Sequence, residues 1–309
     1  MKNNTVFKRI LPEDLREKLQ KGEELTLIDT LTNDHFNKAH IAKSKNACVF
    51  EVTFLDNVKN IISEKDREII LYGSSDKSMD AVTAAEKLLR SGYQKVFVLE
   101  GGLKQWEEMD YELVGDDPGI VGRTEPALAL QDWKYVVDIE QSIIEWTGRN
   151  ANAKHYGTIQ LSNGEIIVKE GQISGHFEID MTSIKNSNLE GDTLQPVLID
   201  HLVSDDFFFV KMFPKVTFIL KSAKPIKEAT PSEPNFEIEG VLKLRGIHND
   251  INFLANANVE QGGEVKIESH FDIDRTRWGV IYGSTRFFEH LGMHIVFDFI
   301  SIQIRLVAR

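Results

Sequence analysis

The loop at residues 73–78 holds several hydroxyl and charged side chains in one short stretch of the chain. It follows the apolar segment Glu68–Tyr72 and precedes an amphipathic pattern over residues 79–90, so the sequence predicts a strand, a loop and a helix. A serine without a neighbouring general base is not a nucleophile, so these hydroxyls alone predict no covalent catalysis. The loop consists of Gly73, Ser74, Ser75, Asp76, Lys77 and Ser78.

Two interpretations of this loop stay open. Backbone N–H groups at the start of a helix can bind an anion, assisted by the helix dipole. A Gly/Ser turn that merely caps the following helix explains the same residues equally well.

Motifs on both sides of the loop belong together. They are Leu27-Ile28-Asp29, His35-Phe36, Ala39-His40-Ile41, Ala47, Gly92-Tyr93, residues 96–99, Glu100-Gly101-Gly102 and Trp106. Their order and spacing resemble the rhodanese family over residues 5–113, and that resemblance implies a parallel α/β sheet with flanking helices.

The loop departs from the family pattern where chemistry would occur. Rhodanese loops usually read Cys-x-x-Gly-x-Arg, and the matching positions here are Gly73, Asp76 and Ser78. Sulfur transfer needs a thiolate of low pKa that accepts sulfur as a persulfide. The resemblance therefore implies a domain without sulfurtransferase activity, which serves as a docking module for a protein partner.

The single cysteine, Cys48, is the other potential nucleophile. It lies in the apolar stretch 47–50, which is predicted to be a core strand. A free cysteine in such a setting is usually buried and inert, so we predict no reaction at this thiol.

Composition limits the partners of the chain. Its 309 residues allow two domains, and 36 Lys+Arg against 48 Asp+Glu give a net charge of -12. This charge disfavours nucleic acid and anionic membranes as partners. We find neither a signal-peptide pattern nor an apolar run of about 18 residues, so no transmembrane segment and a cytoplasmic location are expected.

A break in pattern divides the chain into two domains. Three glycines and two prolines between residues 113 and 130 interrupt any regular element. We therefore predict a first domain at 1–115, a linker at 116–129 and a second domain at 130–309.

The second domain is predicted to be an antiparallel β-barrel. Alternating apolar and polar residues indicate strands, and about eight strands can close around a packed interior or one elongated ligand. The alternating segments are residues 142–147, 164–168, 171–179, 216–220, 236–244 and 295–306.

A second set of motifs spans this half of the chain in a fixed order. The motifs are residues 133–138 with Ser142, Gly157, residues 200–208 with Phe213-Pro214 and Phe218, residues 240–246, Ile273-Asp274-Arg275, and Trp278-Gly279. They resemble the motifs of the YceI family. That resemblance implies a lipocalin-like barrel that takes up a polyisoprenoid or a similarly long apolar chain, such as a quinone or a fatty-acyl chain.

Strand alternation gives the candidate ligand-binding residues, which would point into the barrel. An ordinary side-chain-filled core is the alternative for the same set. The candidates are Ile144, Trp146, Phe218, Leu242, Leu244, Ile302 and Ile304, with Arg275 at one end of the barrel.

The polar residues leave alternatives open. Arg275 could meet a ligand head group or pair with Asp272 or Asp274 to hold a turn. His201 could bind a head group or metal, or be structural. His290 and His294 could chelate a metal only if their segment is helical.

No sequence pattern indicates a metal or nucleotide enzyme, so no cofactor is predicted. We interpret the chain as a cytoplasmic binding or carrier protein for a long apolar molecule. A sulfurtransferase with its nucleophile outside the loop and a scaffold with a packed barrel are the alternatives.

Overall fold

The computed structural model describes residues 7–121, 130–230, 232–260 and 262–309. The chain divides into two compact units, Met1–Glu125 and Pro126–Arg309, and each is considered by itself. Most of the predicted linker, residues 122–129, lies outside the described residues. Its first residues bind back to the first unit, because Asp116 N donates to Asn37 O over 2.9 Å.

The first unit contains a five-stranded parallel sheet in the order β1-β6-β5-β2-β4, together with a β3-β7 pair. Its strands are β1 (Lys8–Ile10), β2 (Thr26–Asp29), β3 (His40–Ile41), β4 (Lys45–Asn46), β5 (Glu68–Tyr72), β6 (Lys95–Leu99) and β7 (Leu113–Val114). Its helices are α1 (Pro12–Lys21), α2 (Asn33–Lys38), α3 (Phe54–Ile61), α4 (Asp80–Arg90) and α5 (Gly102–Glu108).

Each face of this sheet has its own core. Side chains alternate along β5, so Ile69 and Leu71 join a cluster with α3 and α4, whereas Ile70 and Tyr72 join one with α1 and α5. The carboxyl ends of β2 and β5 are adjacent, because Asp29 pairs with Tyr72. The loop at residues 73–78 therefore starts beside Asp29.

The second unit contains eight antiparallel strands that close into a barrel, and β8 adds to β10 at its side. Pairing runs from β9 through β10 to β16 and back to β9, so the barrel that the sequence predicts is confirmed. The strands are β8 (Trp133–Val136), β9 (Ile143–Arg149), β10 (Lys154–Lys169), β11 (Gln172–Asp180), β12 (Lys215–Pro225), β13 (Phe236–Leu244), β14 (Ile247–Val259), β15 (Val265–Asp274) and β16 (Phe299–Ala308).

Several elements differ from the sequence prediction. The strands β14 and β15 were not among the predicted segments, and α6 (Leu194–Val203) is a helix in a region where strands were expected to dominate. The segment 295–298, which was predicted to begin the last strand, precedes β16. Residues 47–50 do not form a strand, although Cys48 is buried.

Two glycines allow close approaches inside the barrel. A Cβ at Gly157 would lie 1.8 Å from Lys185 O, so glycine is required where the segment after β11 crosses β10. A Cβ at Gly240 would lie 2.4 Å from the ring of Phe218. Because Gly240 has no side chain, the ring of Phe218 can pack directly over the backbone of β13.

Within the described residues, no helix combines the length and apolar character needed to cross a membrane.

Candidate functional site

The barrel encloses a cavity of about 420 Å³ with almost entirely apolar walls. All eight residues that the sequence analysis proposed for ligand binding line it. They are Ile144 and Trp146 on β9, Phe218 on β12, Leu242 and Leu244 on β13, Ile302 and Ile304 on β16, and Arg275 just after β15.

Aromatic rings run in series along the cavity wall. Phe218 lies 6.1 Å from Phe177 and 5.8 Å from Phe253, measured between ring centroids. Phe253 in turn stacks on Phe271 with centroids 4.1 Å apart. The sequence analysis missed three of these four phenylalanines, although alternation over residues 251–255 and 267–273 carried the signal for two of them.

Polar side chains gather where α6 meets the loop after β15. The ring of His201 makes edge contacts with Phe207 and Tyr282, with centroids 4.8 and 4.6 Å apart, and all three residues line the cavity. His201 Nε2 also lies 3.4 Å from Asp206 Oδ2. This end of the cavity can therefore offer hydrogen bonds to a ligand.

Arg275 holds a turn, with partners other than those the sequence suggested. It is 1% exposed, and its guanidinium donates to the carbonyl oxygens of Val280, Tyr282, Val296 and Phe297 over 2.5–3.1 Å. Its nearest carboxylate is that of Asp298, at 3.8 Å. The guanidinium fixes the loop at residues 280–297 over the end of the barrel.

The pairing of Arg275 with Asp272 or Asp274 is therefore wrong. Asp272 accepts a hydrogen bond from Ser301 Oγ over 2.5 Å, and Asp274 accepts one from Arg286 over 2.6 Å. The sequence could not predict Asp298 as a partner, because this residue lies 23 positions further along the chain, just before β16, and only the fold brings it near Arg275.

The histidine pair is not on a helix that could present both rings to one metal. His290 has a positive φ of 60°, and His294 lies in the short 3-10 turn Gly292–His294. In the part of the chain that the structure describes, no group of three metal-ligating side chains is found. The absence of a metal cofactor stays a prediction.

The loop at residues 73–78, called here the serine loop, closes around a carboxylate of the chain itself, that of Asp80. Asp80 is 4% exposed, and its Oδ2 accepts hydrogen bonds from Ser74 N, Ser74 Oγ and Ser78 Oγ over 2.8–3.2 Å. Its Oδ1 accepts one from Ala81 N over 2.7 Å.

This carboxylate also takes up the space beside Gly73. A Cβ added at residue 73 would lie 1.8 Å from Asp80 Oδ1. The place where a nucleophilic side chain at residue 73 would begin is thus filled by Asp80. The sequence analysis missed this residue, because an acidic residue in the first turn of a helix is ordinary.

Asp29 is a second buried carboxyl at the same edge of the sheet. It is 0% exposed, and its Oδ1 accepts a hydrogen bond from Leu31 N over 2.8 Å. Burial raises the pKa of the Asp29 carboxyl to about 7, and the negative charge of Asp80 acts in the same direction. The hydrogen bond from Leu31 N opposes the rise in pKa.

This pKa predicts a pH-dependent stability. The unfolded state releases the Asp29 proton near the ordinary pKa of 3.8, whereas the folded state keeps it up to about 7. Asp29 therefore contributes its full stabilisation when the pH is below 3.8, the pKa in the unfolded state. This stabilisation is lost as the pH rises towards about 7, the pKa in the folded state, by at most about 1.4 kcal/mol per pH unit.

We expect Asp29→Asn to remove this dependence. Urea unfolding between pH 4 and pH 8 gives the free energy of unfolding of the wild type and of the variant. The difference between the two isolates the contribution of Asp29, because the other titrating groups are the same in both proteins. A difference that stays constant over this range would contradict the buried, protonated carboxyl.

Comparison with known proteins finds a matching family model for each half of the chain. The family model of the YceI-like domain matches residues 135–308, and that of the rhodanese-like domain matches residues 11–109. The uncharacterised protein YibN of Escherichia coli strain K12 is 31% identical over 97 residues, or 31% of this chain. The chain spans 66% of the length of this relative.

Two solved structures are similar to the second half. BcnA of Burkholderia cenocepacia is 19% identical, with a TM-score of 0.44 over 56% of this chain and 99% of that one. A polyisoprenoid binding domain from Saccharophagus degradans, implicated in plant cell wall breakdown, is 11% identical. Its TM-score is 0.40 over 57% of this chain and 97% of that one. The chain belongs to the YceI-like family, and a rhodanese-like domain precedes its YceI-like barrel.

Proposed function

We propose that the barrel binds one long apolar molecule, such as an isoprenoid, a quinone or a fatty-acyl chain, and stores or delivers it. The observation that carries this proposal is the apolar cavity of about 420 Å³. Each buried methylene contributes about 0.8 kcal/mol, so a chain of about ten carbons can offset the cost of being ordered.

The charges along the cavity favour a ligand whose polar end is uncharged. Among the described residues, Arg149 and Arg275 are the permanently charged side chains in the lining. Arg275 already donates to four carbonyl oxygens, and Arg149 is exposed and donates to Ser301 Oγ over 2.8 Å. Arg275 therefore has little to offer a free carboxylate or phosphate, and Arg149 can meet one only from its solvent-exposed position, whereas His201 and Tyr282 suit a carbonyl or hydroxyl group.

The rhodanese-like domain serves, in this proposal, as a docking module for a protein partner and transfers no sulfur. Gly73 at the nucleophile position and the Asp80 carboxylate beside it support this role. Cys48, which is 5% exposed, supports no alternative nucleophile. The cytoplasmic location and the absence of nucleic acid as a partner stay predictions, and fractionation of the native protein tests the first.

Native mass spectrometry of the full chain, before and after organic extraction, tests the carrier function. We expect a retained apolar molecule before extraction and saturable uptake of a fluorescent prenyl or fatty-acyl ester probe afterwards. Leu242→Trp is expected to weaken probe binding about tenfold or more without lowering the melting temperature, because the larger ring takes up cavity space.

Ile219→Trp is the matched control, since Ile219 is 43% exposed on the neighbouring strand β12. It should leave uptake unchanged. A packed scaffold would give the opposite pattern, with neither a ligand nor probe uptake in the wild type. In that case overpacking at Leu242 would cost about 1–3 kcal/mol of stability.

A further inference from the structure

Six large apolar side chains are exposed on the two elements that flank one end of the cavity. The elements are α6 and the loop at residues 282–297, which touch through the rings of His201 and Tyr282. Exposed apolar patches of this kind mark interaction sites. The six, called here the portal rim, are Leu194, Val197, Phe287, Phe288, Met293 and Phe297, each 44–83% exposed.

The portal rim is continuous with the cavity. Met293 and Phe297 are 83% and 47% exposed, yet both also line the cavity wall, as does Leu198 on α6. An apolar chain can therefore pass between the outside of the barrel and its interior along apolar side chains. A continuous apolar path is useful when the ligand comes from an apolar environment. A ligand that crossed water on its way would expose every methylene group to the solvent, which is unfavourable.

The portal rim also lacks charge, in contrast to the rest of the chain. Charged residues make up 27% of the sequence, and its net charge is -12. Asp200 is the single Asp, Glu, Lys or Arg within residues 194–203, and the loop at 282–297 holds one of each sign, Glu289 and Arg286, the latter paired with Asp274 and Asp298. An uncharged patch on an acidic protein matches an electrically neutral surface, and the net charge opposes an anionic one.

The side chains of the rim favour a lipid surface over a protein. Interfaces between proteins combine aromatic, Met and Arg side chains with about one hydrogen bond per 100–200 Å² of buried area. The six rim residues carry no hydrogen-bonding group on their side chains. Leu and Phe are the residues with which peripheral proteins enter the boundary between lipid head groups and acyl chains.

We propose that the portal rim inserts into the surface of a bilayer of zwitterionic lipids, so that the ligand enters the cavity directly from the membrane. This inference rests on the proposed carrier function. It adds the source of the ligand and the surface through which the ligand passes.

Flotation with phosphatidylcholine vesicles tests the proposal with the full chain. We expect the wild type to float with the vesicles, and the triple variant Leu194→Ser, Phe287→Ser, Phe288→Ser, which leaves the cavity lining intact, to lose about tenfold or more in binding. The double variant Ile219→Ser, Leu254→Ser is the control, because it removes side chains of similar exposure, 43% and 48%, from the barrel wall. It should bind as the wild type does.

Two further arms separate this proposal from the carrier function. Adding phosphatidylglycerol to the vesicles should weaken binding, and binding to these anionic vesicles alone would overturn the proposal. Probe delivered from solution should enter the wild type and the triple variant equally. Uptake from solution without flotation would overturn the membrane proposal and leave the carrier function standing.

Flotation without any uptake would overturn the carrier function instead. A concentration-dependent dimer that the triple variant abolishes, with no flotation of the wild type, would assign the rim to a second copy of this chain and overturn the proposal.

Discussion

Replacement of Arg275 by methionine is expected to lower the free energy of unfolding of the barrel domain by about 3–5 kcal/mol. The guanidinium is 1% exposed, and its removal leaves four carbonyl oxygens without this donor and takes away the positive charge 3.8 Å from Asp298. Each buried acceptor left unpaired costs about 1–3 kcal/mol. Urea unfolding followed by tryptophan fluorescence measures the loss.

Arg277→Met is the matched control for this variant. Arg277 lies two residues further on, is exposed, and donates to a single carbonyl oxygen, that of Asp250, over 2.9 Å. We expect it to cost less than about 1 kcal/mol. Equal losses in the two variants would show that Arg275 does not hold the loop at residues 280–297.

The barrel wall was predictable because its pattern is local. In a strand, alternate residues face the same side, so Leu242 and Leu244 could be assigned to the interior from spacing alone. The same rule applied to residues 251–255 would have found Phe253. It was missed because Asn249 interrupts the apolar side of β14 near its start, and Leu254 is apolar on the opposite side, which hides the alternation in the sequence.

The end of the barrel was not predictable, because it depends on contacts between distant segments. The helix α6 is apolar nearly throughout, and its Pro196 in the first turn looks like a break, although proline is tolerated there. The partners of Arg275 are carbonyl oxygens up to 22 residues away, and backbone acceptors leave no mark on residue type. The sequence therefore located this arginine at the barrel end and offered a turn-holding role as one alternative, but it did not give the partners.

The serine loop shows the same limit in the other domain. A resemblance identifies which family residues are missing at Gly73 and Ser78, but it says nothing of what fills their space. Only the fold shows that the carboxylate of Asp80 lies within 1.8 Å of any Cβ at residue 73. Restoring the nucleophile by one substitution therefore meets an obstacle that the sequence does not reveal.

We expect Gly73→Cys to lower the free energy of unfolding by about 1–3 kcal/mol and to give no thiosulfate sulfurtransferase turnover. The new side chain must displace the Asp80 carboxylate, which then loses its hydrogen bonds from Ser74 and Ser78. Urea unfolding and a thiosulfate–cyanide assay measure the two effects. Gly148→Cys is the control for stability, because a Cβ there meets no atom within 4 Å.

A double-mutant cycle with Asp80→Ala attributes the cost to this carboxylate. If Asp80 is the obstacle, Gly73→Cys should cost less in the Asp80→Ala background, with a coupling of about 0.5–3 kcal/mol. The double variant should still lack turnover, since Ser78 supplies no charged partner for the thiosulfate anion. Additive costs would show that the backbone around Gly73 is the obstacle. Wild-type turnover that disappears in Cys48→Ser would instead establish a sulfurtransferase with its nucleophile outside the loop.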